Sequence, residues 1–176
     1  MSVLSPLLAR IATLRSELLS IAETAGAKAT RRPGADAWSP AEIVEHLVRA
    51  EDFGILGLWR AVEAAGASGP AAIDPPPRHD DRTIDEVFAD LPDRVDAPEA
   101  VIPKRAGRPL GYWSGRLREH QNAIESLAGA IEAVGPDRVV LPHFVAGPLN
   151  GWQRLEFFRW HLERHLAQMR RTVGAK

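Results

Sequence analysis

The stretch Trp152–Met169, Trp-Gln-Arg-Leu-Glu-Phe-Phe-Arg-Trp-His-Leu-Glu-Arg-His-Leu-Ala-Gln-Met, constrains the fold more than any other part of the chain. Leu155, Phe158, Leu162 and Met169 recur at helical intervals, the signature of one amphipathic helix. His161 and His165 fall on the same stripe. Residues four apart on a helix are neighbours, with roughly 5–6 Å between Cβ atoms, so the two imidazoles can converge on one point. Such a pair suits a borderline divalent metal, zinc or nickel first and iron as a further option. Two histidines do not complete a site; a third must come from elsewhere.

At 176 residues the chain is expected to form one domain, residues 1–176, with a sizeable core. Lys and Arg number 22 against 23 Asp and Glu, a formal net charge of −1. That balance lacks the basic excess that drives binding to phosphate backbones, so nucleic acid is not an expected partner. The absence of cysteine removes disulfides, thiolate nucleophiles and Cys-based zinc sites, and it fits a cytoplasmic address. Met1–Ala12 lacks a basic region followed by a long apolar run, and no apolar stretch is long enough to span a membrane. Neither a secretory signal nor a membrane partner is expected.

Three further segments carry helical periodicity. Leu4–Ala25 places Leu7, Leu8, Ile11, Leu14, Leu18 and Ile21 on one stripe and reads as a packing helix, with Gly26 as its stop. The second opens at Ser39-Pro40-Ala41-Glu42, where Ser39 caps, Pro40 takes the first helical position and Glu42 completes a capping box. Trp38 is placed as a hydrophobic staple. Ile43, His46, Leu47, Ala50, Gly54, Gly57, Leu58 and Ala61 then form a continuous inner face, which turns His46 inward. Gly54 and Gly57 leave room for a helix or a bound molecule to come close. The third segment, Tyr112–Ala133, carries Trp113, Leu117, His120, Ile124, Leu127 and Ile131 on its stripe. His120 is expected as a core or supporting residue, with a fourth-ligand role as the alternative.

Between the second and third long helices, Gly66–Pro109 is a long, proline-rich link that includes Pro75-Pro76-Pro77. Thr83–Leu91 is expected as a short helix inside it, and His79 as a solvent histidine. Long interrupted links in compact domains tend to be functional or to lie over the site. Val139–Asn150 reads as a loop that delivers His143 and Phe144 near the start of the last helix.

If the inner faces of the second and last helices meet, His46, His161 and His165 supply three imidazoles and leave coordination positions open. That is the pattern of a catalytic rather than a structural metal. Neighbouring patterns fit less well. His161-Leu162-Glu163-Arg164-His165 lacks the glutamate of His-Glu-x-x-His, and no histidine has a glutamate three residues before it, as di-iron bundles require. A bundle with ordinary core histidines and no metal is the alternative these patterns leave open.

Trp38-Ser39-Pro40-Ala41-Glu42-Ile43-Val44-Glu45-His46-Leu47 resembles the second-helix motif of the DinB-like family, which includes the bacillithiol transferases: a tryptophan, a capped helix start, then a ligand histidine followed by leucine. His143-Phe144-Val145-Ala146-Gly147-Pro148-Leu149 is similar to the family's His-Pro-x-x-Gly-x-Leu loop, with Phe144 where proline is usual. Trp152 through Gln168 resembles its final helix, with His-x-x-x-His and a nearby glutamine. The resemblance implies an all-α, up-down-down-up four-helix bundle, a divalent metal on His46, His161 and His165, and a homodimer. It further implies a metal-dependent transferase that joins a low-molecular-weight thiol to an electrophilic small molecule. A hydrolase using water activated at the metal shares the same site, and a non-catalytic metal-binding or ligand-binding stress protein is the third reading. His143, His120, Tyr112 and Arg108 are the candidate pocket-lining residues.

Overall fold

The computed structural model describes residues 4–67, 82–89, 96–104 and 107–174. Its elements are α1 (Ser5–Thr24), α2 (Pro40–Ala67), α3 (Ile84–Phe88), α4 (Leu110–Val134), β1 (Val140–His143), β2 (Gly147–Asn150) and α5 (Gly151–Gly174), with short 3-10 turns at Gly26–Thr30, Glu99–Val101 and Pro136–Arg138. The chain is mostly helical, and no helix among the described residues is long and apolar enough to cross a membrane. His79, Asp81, Leu91 and the Pro75–Pro77 run lie outside the described residues.

Helix boundaries follow local chemistry. At α2 the Glu42 amide donates to Ser39 Oγ at 3.3 Å and the Ser39 amide donates to Glu42 Oε2 at 2.9 Å, the reciprocal capping box that the sequence calls for. Thr83 and Glu86 repeat the device at α3. Within the expected Thr83–Leu91 segment, Ile84–Phe88 is helical and residues 90 and 91 lie outside the described residues. This helix is pinned to α5 where the Ile84 amide donates to Glu156 Oε2 at 2.9 Å. α4 ends at Gly135, whose φ of 101° lets the chain turn out of the helix.

The segment 139–150 is not a loop. β1 and β2 form an antiparallel hairpin in which Val140 pairs with Asn150 and His143 with Gly147. The register sets Pro142 opposite Pro148. The two residues that lack an N–H thus share one pair, where the ladder loses least. Asn150 then starts α5: its Oδ1 accepts from the Gln153 amide at 2.8 Å, while the Asn150 amide donates to Gln153 Oε1 at 3.1 Å. Gly151 lets this corner close, since a Cβ there would stand 2.7 Å from Ile131 Cγ2 and 3.1 Å from the Pro136 carbonyl oxygen.

One apolar core runs through the long helices, with Leu14 and Leu18 from α1, Ile43, Leu47 and Leu58 from α2, Leu117, Ile124 and Leu127 from α4, and Leu155 and Leu162 from α5. Gly54 admits the Phe158 ring and Gly57 admits the Leu141 side chain, so both glycines serve close approach of protein groups. Arg10 to Glu163 and Arg170 to Glu17 link α1 with α5. A buried polar network joins α1, α2 and α4. Arg15 donates twice to Glu51, at 2.9 and 3.0 Å, and also bonds Gln121. His120 Nδ1 and Nε2 lie 2.9 Å from Glu51 Oε2 and Asp52 Oδ1.

Removing one member of that network leaves the others buried and uncompensated. Glu51→Leu is expected to lower unfolding free energy by about 3–5 kcal/mol, read as a reduced urea midpoint. Gly151→Ala should cost about 1–3 kcal/mol through overpacking, because one obstructing atom is a backbone oxygen.

Candidate metal centre

The Ser39 cap fixes where α2 begins, and His46 follows about two turns later on its inner face. His161 and His165 stand on the inward stripe of α5, one turn apart. The fold brings all three together: His161 Nε2 lies 3.2 Å from His46 Nε2 and 3.0 Å from His165 Nε2. His46 and His165 are buried, and His161 keeps some surface. Across all three residues, one ligating atom each can be chosen within 4.8 Å of the others.

Neighbouring groups fix the tautomers. A carbonyl oxygen can only accept, so His46 Nδ1–H donates to the Val101 carbonyl at 2.9 Å and leaves its Nε2 lone pair facing His161. His165 Nδ1–H donates to Gln168 Oε1 at 2.8 Å with the same result. Two lone pairs therefore face a third nitrogen at van der Waals contact or closer. One proton on His161 Nε2 cannot serve both neighbours well, whereas a cation serves all three.

The spacing fits that role. Nitrogens about 2.0–2.1 Å from one zinc-sized ion, at angles between octahedral and tetrahedral, stand about 2.8–3.4 Å apart, which the two separations from His161 match, while the whole set lies within 4.8 Å. The donor set is also in the right protonation state, because ligation requires neutral imidazole. Burial lowers His46, and burial with the neighbouring imidazoles holds His161 well below the usual histidine range. His165 is pushed down to about 3 by burial and by His46. The residues present can hold one divalent transition ion.

Aromatic rings close the site. Trp38 lies 4.7 Å from the His46 ring and stacks at 6.3 Å on His165, so it does more than staple the helix start. Phe157 stacks on His161 at 5.3 Å. The Val101 carbonyl and the Lys104 amide, which donates to Glu45 Oε1 at 2.8 Å, dock part of the link against α2. That stretch of the link does border the site.

The candidate lining residues divide. His143 lies near the triad but is separated from it by one ring: its imidazole is 4.6 Å from Phe157, and its Nδ1 accepts from the Val145 and Ala146 amides at 3.3 Å. Burial, with Arg154 nearby, lowers it to about 4. His120 belongs to the α1–α2–α4 network, where its two ring nitrogens face Glu51 and Asp52 rather than the triad, so it is a supporting residue and not a fourth ligand. Tyr112 and Arg108 meet each other at the start of α4, with the guanidinium 4.8 Å from the phenol ring. Their contacts do not reach the triad. A surface cleft of about 460 Å³ between α1 and α4, lined by Arg15, Glu23 and Arg118, includes none of the three histidines.

Sequence reasoning missed three contributors. Val101 acts through its backbone and carries no residue-type signal. Phe157 sits beside rather than on the expected stripe. Arg154 lies on that stripe, two turns before His161, and is 7% exposed; its position alone marked it as inward.

Four buried histidines are lowered in the folded state, so the unfolded chain takes protons first as pH falls. Stability of the metal-free protein is then full above about pH 6.5. It is lost progressively below that value, through about 4 for His143 and about 3 for His165. A urea midpoint clearly lower at pH 5 than at pH 7.5 is the expected result, and equal midpoints would count against neutral burial of these rings.

No curated protein and no solved structure matches the chain significantly. The profile of the DinB superfamily matches residues 10–169, a span that contains α2, the hairpin, all three histidines and most of α5. The chain belongs to the DinB superfamily.

Proposed function

We propose that His46, His161 and His165 hold one divalent transition metal, zinc or nickel in first place and iron as the alternative. In this reading the protein is a cytoplasmic, metal-dependent transferase that joins a low-molecular-weight thiol to an electrophilic small molecule. The observation that carries it is the convergence of three imidazole Nε2 atoms beside Trp38 and Phe157, with two of the imidazoles oriented from behind. Helix directions support the up-down-down-up bundle. Residue numbers rise together along α1 and α5, as in the pairs Arg10–Glu163 and Glu17–Arg170. They rise together along α2 and α4 as well, as in Arg49 over Trp113 and Asp52 with Arg116. Phe53 and Leu56, exposed on α2, offer apolar surface to a second copy in a homodimer.

A bound ion would supply positive charge that favours thiolate over thiol at neutral pH. The chain's own groups do the rest. Val101 and Gln168 keep the imidazole protons on Nδ1, so that the Nε2 atoms stay available as donors. Trp38 and Phe157 exclude water from one side and present flat apolar surface to a substrate. Sulfur forms its bond to the electrophilic carbon as the leaving group departs with the bonding pair, and the thiol proton passes to solvent.

Elemental mass spectrometry of tag-free protein tests the foundation. Wild type should carry close to one transition-metal ion per chain, and His161→Ala should lose it. If neither preparation holds metal after reconstitution with zinc, nickel and iron, the enzymatic reading falls. Product formed equally with and without added thiol would assign the site to hydrolysis instead.

A further inference from the structure

Arg154 is a buried cation for which the described residues provide no anion. It is 7% exposed, and among the described residues its Nε has no hydrogen-bond partner. The other buried arginine, Arg15, is held by Glu51 and Gln121. Among the described residues, Arg154 instead meets the Phe157 ring, 5.4 Å from its guanidinium carbon, and has no carboxylate partner. A buried charge without a partner is costly. Its place in the first turn of α5 adds to the cost, since the positive end of the helix dipole repels a cation there and attracts an anion.

The surroundings leave this group facing the seam between α2 and α5. A Cβ at Gly54 would stand 3.8 Å from Arg154 Nη2 and 3.1 Å from the Phe158 ring, so α2 carries no side chain where it passes the guanidinium. Phe157, packed on its α3 and hairpin side against Phe88 and His143, contacts both Arg154 and His161, the latter by stacking. Arg154 and His161 share one helix stripe seven residues apart, an axial separation of about 10 Å. His143 lies close enough to feel the Arg154 charge, and an imidazole supplies no anion to pair with it.

We propose that Arg154 is an oxyanion subsite for the carboxylate of an acidic small molecule, whose opposite end extends along Phe157 towards the three histidines. The guanidinium fork accepts a carboxylate through two parallel N–H···O bonds. A single positive charge among phenylalanine rings matches a monoanion, whereas a phosphate dianion would leave one negative charge buried. The subsite deepens the transferase reading by naming the acidic class of its substrate. Carboxylate binding at Arg154 nevertheless does not depend on the metal.

Calorimetric titration of the full chain tests this, with phenylacetate as probe, the neutral isostere 2-phenylacetamide as control and inorganic phosphate as a second anion. Wild type should bind phenylacetate about tenfold or more tightly than the amide, the size expected of a charge-assisted hydrogen bond, and more tightly than phosphate. Arg154→Met should abolish that preference while holding or raising the thermal midpoint, because it removes an unpaired charge. His161→Ala should keep the preference even after it loses metal. Equal affinity for acid and amide, or no binding of either, overturns the subsite. So does a preference that survives in Arg154→Met and disappears in His161→Ala, which would place the carboxylate on the metal. A lowered midpoint in Arg154→Met with the preference intact would make the arginine structural. Metal content is read separately on the same preparations, so failure of the subsite and failure of the metal reading are distinguishable.

Discussion

The His161 Nε2 has an imidazole nitrogen about 3 Å away on each side, a crowding of lone pairs that a positive charge among them relieves, and much of the structure consists of the means that hold them there. The α2 cap sets the axial position of His46, and the helical repeat of α5 sets the spacing of His161 and His165. Apolar contacts press those two helices together, with Phe158 seated over Gly54. Hydrogen bonds at Nδ1 of His46 and His165 then decide which nitrogens face inward. Each device is ordinary, and together they concentrate donor lone pairs at one point.

Five buried or half-buried histidines serve three physical purposes in this fold. The triad presents Nε2 atoms to each other. His120 is surrounded by acceptors and ties Glu51 to Asp52, which makes it part of the bundle's polar interior. His143 turns its Nδ1 back on the hairpin tip, accepting two amides, and packs its ring against Phe88, Phe144 and Phe157. Burial alone does not separate these cases. The identity of the atom facing each nitrogen does: a carboxylate oxygen, a backbone N–H or another lone pair.

Much of this was legible in the sequence because it depends on local periodicity. The stripes through Leu14, Leu47, Leu117 and Leu162 and the capping box at Ser39 all repeat at helical spacing, and the inward turn of His46, His161 and His165 follows from the same count. Elements defined by partners distant in sequence were not legible. Pro142 and Pro148 argue against a strand when each is read alone, and only their pairing opposite one another makes the hairpin economical. The Val101 carbonyl reaches His46 across 55 residues, through a backbone atom that every residue possesses. Asn150 and Gln153 form a cap whose meaning depends on where the preceding strand ends.

The Val101 contact separates what the link must keep from what it can change. A main-chain oxygen can be supplied by almost any amino acid, so the identity of residue 101 is nearly free while its position is not. Glu45 holds the Lys104 amide three residues further on, which fixes the direction of the chain as well as its distance. A graft or length change that shifts these two backbone groups relative to α2 would turn the His46 ring without altering any histidine. Substitutions of side chains within the same segment would leave the ring where it is. For anyone redesigning substrate scope, residues 101–104 are therefore a fixed ruler, and variation belongs on either side of it.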